Sequence, residues 1–177
     1  MPVMRRMLGI LLPLALAACF VSAKPLFSEK EADYPIADGA RFSVQTLNAR
    51  GEADGDAPQE VTITRDGAFY LYSVKGEDEP LRGLLDDLDN GNYAAVSFDE
   101  ETAVYALYQR RGKKWLRHGM NCPDFEDLAQ SRNKQLEDFG IQKDRSECKF
   151  SSYADLKRAL LFQAQYGRPD AEYTPAE

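Results

Sequence analysis

The chain has 177 residues, with 22 Lys and Arg against 29 Asp and Glu, a net charge of −7 and a single histidine. That balance argues against nucleic acid and anionic headgroup surfaces as general partners, because polyanions are held through clustered cations. One histidine excludes His-rich zinc sites and confines any Ser-His-Asp arrangement to His118.

Arg5 and Arg6 form a positive n-region, and residues 8–16 are an apolar run broken only by Gly9 and Pro13. That run is too short to span a bilayer and suits a signal peptide. It ends in Leu16-Ala17-Ala18-Cys19, which resembles the lipobox of bacterial lipoproteins. The resemblance implies that residues 1–18 are a lipoprotein signal peptide and that the protein is held in a lipid bilayer through acylated Cys19. Several acyl chains make a stable anchor at about 0.8 kcal/mol per buried CH₂. Phe20, not Asp, follows the cysteine, which in lipoproteins points to the periplasmic face of the outer membrane. Beyond this segment the chain resembles only in general terms the small Gram-negative lipoproteins with a β-meander and a disulfide-tied C-terminal part. That likeness carries no activity. With Cys19 taken by lipid in an oxidising compartment, Cys122 and Cys148 remain, and a disulfide between them is expected. Closing that loop contributes about 3–4 kcal/mol in the chain-entropy model. A reactive thiol pair would normally be spaced as C-x-x-C.

Residues 19–40 lack a clear period and read as a lipidated N-terminus and tether, with Phe27 as a docking point. From Arg41 the pattern has period two, which predicts strands over 41–47, 61–64 and 68–74, with the hairpin signal Asp66-Gly67 between the last two. Leu81, Leu84, Leu85 and Leu88 have helical spacing and predict a short helix over 81–88, although a strand also suits a meander. After Asn90-Gly91, strands are expected over 93–98, 102–109 and 114–118, with a charged turn at 99–101 and Trp115 in the core. Pro123 with Asp124, Glu126 and Asp127 suits a helix start, Gly140 a stop, and the polar middle a break. Ser152 with Asp155 matches a capping box before a stripe of Leu156, Leu160, Leu161 and Ala164, ended by Gly167 and Pro169. The fold class is α+β, mainly β: an antiparallel β-meander of about six or seven strands, curled into a half-barrel or small barrel, with two C-terminal helices tied by a disulfide. Residues 41–166 form one globular domain, and residues 167–177 read as a disordered tail.

No residue stands out as catalytic, and no metal or cofactor motif is present. The run from Asp86 to Gly91 fails as a calcium loop, because Leu88 and Ser97 fall at ligand positions. Glu52, Asp54 and Asp56 lack a companion Glu. There is no Gly-x-Ser-x-Gly elbow, Ser151-Ser152 reads as a helix cap, and no carboxylate pair is singled out. His118 ends a strand near the disulfide. Arg110, Arg111, Lys113, Lys114 and Arg117 form one basic cluster, read as a solvated hairpin that discourages edge pairing, or as an anion or partner site. Tyr70, Tyr72, Tyr93, Tyr105 and Tyr108 read as cross-strand core residues or as the lining of a ligand cavity. Two functional readings follow. The first is a non-enzymatic envelope accessory protein acting through protein contacts. The alternative is a calycin-like binding module for a small apolar ligand. A hydrolase comes third, for want of a constellation. A hollow interior favours the binding module, an exposed Tyr and Leu face the first reading, and a cleft joining His118 to carboxylates the third.

Overall fold

The computed structural model describes residues 20–98, 102–119 and 121–176. The expected signal peptide, Cys19 and the expected turn at 99–101 lie outside them. The strands are β1 (Phe20–Ser22), β2 (Ala40–Thr46), β3 (Gln59–Asp66), β4 (Phe69–Val74), β5 (Leu81–Asp87), β6 (Asn92–Phe98), β7 (Ala103–Arg111), β8 (Lys114–Gly119), β9 (Gln142–Asp144), β10 (Glu147–Lys149) and β11 (Ala171–Pro175). The helices are α1 (Cys122–Gln130) and α2 (Tyr153–Tyr166).

Strands β2 to β8 are an antiparallel meander, and β11 inserts between β8 and β2, so that eight strands close into a barrel. The register shows the closure. Phe42 faces Val61 and Val61 faces Val74, Leu85 faces Ala95, Ala95 faces Ala106 and Ala106 faces Gly119, and Arg117 faces Ala171, which faces Thr46 back on β2. Directly opposed residues share a face, so these side chains all point into one lumen. Tight hairpins join β3 to β4, β5 to β6 and β7 to β8 at one end of the barrel. In the second of these, Asp89, Asn90 and Gly91 take φ of 73°, 54° and 76°, the left-handed region that Asn-Gly favours.

The outer face carries a second core. Leu84, Val96 and Leu107 are buried beneath α1, α2 and β1, against Phe20, Phe125, Leu156 and Leu160. Helix α2 starts as expected: the Ser152 side chain accepts from the Asp155 backbone N–H. Helix α1 stops at Gln130, and a 3₁₀ turn at Leu136–Phe139 follows, capped by Gly140 at φ 65°. The disulfide joins Cys122, at the start of α1, to Cys148 in β10, with the Cα atoms 5.2 Å apart.

Three expectations are corrected. Residues 81–88 form strand β5, not a helix. Its leucines lose period two because both faces are covered, Leu84 by the outer core and Leu85 by the lumen. The expected disordered tail at 167–177 contains β11, paired on both sides. From Phe20 on, the expected tether at 19–40 is part of the domain. Strand β1 runs antiparallel to β7 where β8 has ended, and parallel to β10. Phe20 is 0% exposed, held between the rings of Phe125 and Phe150. Phe27 is buried against Tyr105 and Tyr153.

Candidate functional site

The lumen is hollow. Inward positions on neighbouring strands carry small residues (Gly83, Ala95, Ser97, Ala106 and Gly119), and Tyr70, Tyr72, Tyr108 and Tyr173 line the same cavity. The resulting cavity is about 570 Å³ and includes Ile63, Tyr72, Leu85, Ala95, Ala106, Tyr108, Arg117, Asp170 and Tyr173 in its wall. That is within the usual range for small-molecule pockets, roughly 300–1,000 Å³. The burial alternation records the hollow. Along β7 the outward Tyr105, Leu107 and Gln109 are buried, whereas the inward Val104, Ala106 and Tyr108 are only partly so.

One end of the barrel is shut. The segment after β1 crosses it, donating from the Asp33 backbone N–H to the Leu85 carbonyl at 2.8 Å and placing Ile36 in the lumen wall. The Ile36 backbone both donates to and accepts from the Tyr70 hydroxyl, at 3.0 and 2.9 Å. Trp115 is buried beside Tyr93 with ring centroids 5.3 Å apart. At the other end the cavity reaches Leu81, Ser97, Val104, Gly119, Asn121 and Asp124, where the loops are longer.

Mid-lumen, three hydroxyls converge. The Tyr173 oxygen lies 3.4 Å from that of Tyr72 and 3.2 Å from that of Tyr108. Burial holds the Tyr173 phenol well above its ordinary pKa, so it stays protonated. Arg117 sits beside them and donates through Nε and Nη2 to the two Asp170 oxygens, each at 3.0 Å. Burial works against its charge, but the Asp170 carboxylate it pairs with holds the guanidinium charged. The Asp170 carboxylate fits because residue 119 is glycine: a Cβ there would lie 2.2 Å from Asp170 Oδ2.

The structure divides the residues that the sequence grouped. Tyr70, Tyr72, Tyr93 and Tyr108 face the lumen, whereas Tyr105 faces outward and meets the Ser22 hydroxyl at 2.7 Å. Of the basic cluster, only Arg117 enters the cavity wall. Arg110 lies over the Trp115 ring and Lys114 pairs with Glu172. Asp86 points outward to Tyr153 and Lys157. Asp170 and Tyr173 were missed because they lie in the supposed tail. The alternation of buried Ala171 and Tyr173 with Glu172 and Thr174, just after Pro169, is the signal that marks them.

His118 faces away from the lumen. It is 2% exposed, its Nε2 lies 2.9 Å from Gln109 Oε1, and its Nδ1 has no hydrogen-bond partner among the described residues. Burial lowers its pKa to about 4, opposed by Asp170 and helped by Arg111. The imidazole is therefore neutral in the fold, while in the unfolded chain it takes up a proton near pH 6.5. Between those two values the unfolded state binds more protons, so stability is complete above about pH 6.5 and is lost as pH falls toward 4, by about 3 kcal/mol in all. His118→Gln is expected to remove that share of the acid sensitivity. The check is urea unfolding of both proteins across this window, and parallel profiles would refute the assignment to His118.

Among the described residues, no His, Cys, Asp and Glu side chains gather in threes as metal ligands do. No helix among them is long and apolar enough to cross a membrane. In comparisons with family models, curated proteins and solved structures, nothing matches the chain.

Proposed function

We propose that the chain is a binding module whose barrel lumen holds a small, largely apolar molecule, carried on a protein anchored in the cell envelope through acylated Cys19. The observation that carries the binding reading is the cavity of about 570 Å³, closed by the Ile36 segment at one end and reaching the loops at the other. Leu81 is one of the few exposed large apolar side chains, and it sits at the rim, where an arriving apolar molecule would meet it. The other two, Tyr34 and Leu161, belong to separate parts of the surface and need no partner to explain them. The anchor rests on the lipobox-like run ending at Cys19.

The only tryptophan, Trp115, belongs to the lumen core, so its emission reports on what enters. Titration with decan-1-ol is expected to give a saturable change in that emission. Ala106→Phe places a ring in the hollow. It is expected to abolish the response without lowering the melting temperature, because it fills space that is empty. A wild-type protein that answers to none of a series of C6 to C14 alcohols, or an Ala106→Phe variant that binds as well as wild type, would refute the lumen as the site.

A further inference from the structure

We infer that the lumen selects ligands carrying a carboxylate head, which Arg117 and the Tyr72, Tyr108 and Tyr173 hydroxyls receive in place of Asp170. This rests on the lumen being the binding site. The argument begins with a count of donors. A guanidinium has five N–H groups and no acceptor. Arg117 donates through Nε and Nη2 to Asp170, while its Nη1 has no hydrogen-bond partner among the described residues. Three hydroxyls supply three hydrogens, and the two contacts among them use two. The polar part of the largely apolar cavity therefore offers more donors than the protein uses; the Arg117 side chain is 39% exposed, so the spare ones face solvent until an acceptor enters. The planar fork of arginine matches a carboxylate in two-point contact. The site already holds one, since Asp170 meets the guanidinium at 3.0 Å through both oxygens.

Asp170 is placed to yield. It precedes β11 on the loop at the open end of the barrel, its side chain is 40% exposed, and among the described residues only Arg117 holds its carboxylate, over the flat bed of Gly119. A ligand carboxylate entering between the tyrosines exchanges for it, and Asp170 turns out to solvent. Such an exchange costs less than stripping a bare guanidinium of water, because the charge on Arg117 is paired before and after. An alcohol of the same length gains the apolar contact but not the exchange.

The test titrates decanoate and decan-1-ol into the full chain, followed through Trp115 emission and by calorimetry. Wild type is expected to bind decanoate about tenfold or more tighter than decan-1-ol. Arg117→Met should lose that preference, its decanoate affinity falling to that for decan-1-ol, with far-UV circular dichroism showing that the variant is folded. Asp170→Asn, which removes the competing charge and keeps the shape, should raise decanoate affinity relative to that for decan-1-ol. Equal binding of the two ligands by wild type, or an unchanged preference in Arg117→Met, overturns the carboxylate assignment while leaving the lumen as a binding site. Binding of neither ligand by wild type overturns the lumen reading, and this assignment with it.

Discussion

A chain cut after Gly167 is expected to lose the barrel altogether, although it keeps most of the residues that a meander needs. Strand β11 pairs along five residues with β2 and along three with β8. It buries Ala171 to 3% and Tyr173 to 2% exposure. Losing Tyr173 alone is comparable to a large-to-small core substitution, about 3–5 kcal/mol. Losing the strand adds the unpaired edges of β2 and β8 and opens the lumen to water along its length. A domain of this kind has a total stability of about 5–15 kcal/mol, so the truncation consumes most or all of it. Far-UV circular dichroism and limited proteolysis on the truncated chain would show an unfolded or aggregated product. A cooperative transition within a few degrees of the full chain would mean that β11 is an accessory and that β2 and β8 close without it.

The second large effect falls at the opposite end of the described residues. Phe20→Ala is expected to cost about 4 kcal/mol, and to lower the melting temperature by roughly 10 °C. The side chain is fully buried, with the Phe125 ring edge-on at 5.0 Å and the Phe150 ring at 4.7 Å. The site cannot collapse easily, because the disulfide pins Cys148 opposite Phe20 in the parallel β1–β10 pair. Leu161→Ala, on the exposed side of α2, serves as the control and should change the melting temperature by no more than a degree or two. Scanning calorimetry on the three proteins decides the matter. A Phe20→Ala variant as stable as the control would return the segment to the status of a tether.

Both predictions concern segments that carry weak signals in the sequence, and the reason is physical. Period two shows clearly where one face of a strand meets core and the other meets water, as in β2 and β3, and the Asp66-Gly67 and Asn90-Gly91 turns mark hairpins by themselves. Strand β5 is covered on both faces, so its leucines imitate a helix. Strand β1 is too short for a period to stand out and β11 shows only a brief one, and what makes them strands is the unsatisfied edge of β7, β8 and β2 waiting for them. The helices were legible through Pro123, Ser152 and Gly140, because capping is local. The candidate site was half legible. The tyrosines were visible as a group, but which of them face inward depends on register, which no single strand reveals. Arg117 was visible only as one more positive charge on a hairpin. Its role comes from the Tyr108–Arg117–Ala171 line across three strands and from Gly119, which makes room for Asp170.

The position of β11 between β8 and β2 also governs how the chain reaches its fold. The strand that seals the barrel is the last of the eight in chain order, and one of its two partners is the first. Until Ala171–Pro175 have been made and delivered, β2 and β8 each present an unpaired edge. Closing contacts so distant along the chain makes folding slow compared with a helical domain of this size. The partly assembled meander is meanwhile a sheet with two sticky margins, the kind of species that associates with copies of itself. Closure of the barrel is thus held back until β11 has been made. A polypeptide that cannot close early stays open in the interval, and its yield depends on how well those margins are shielded.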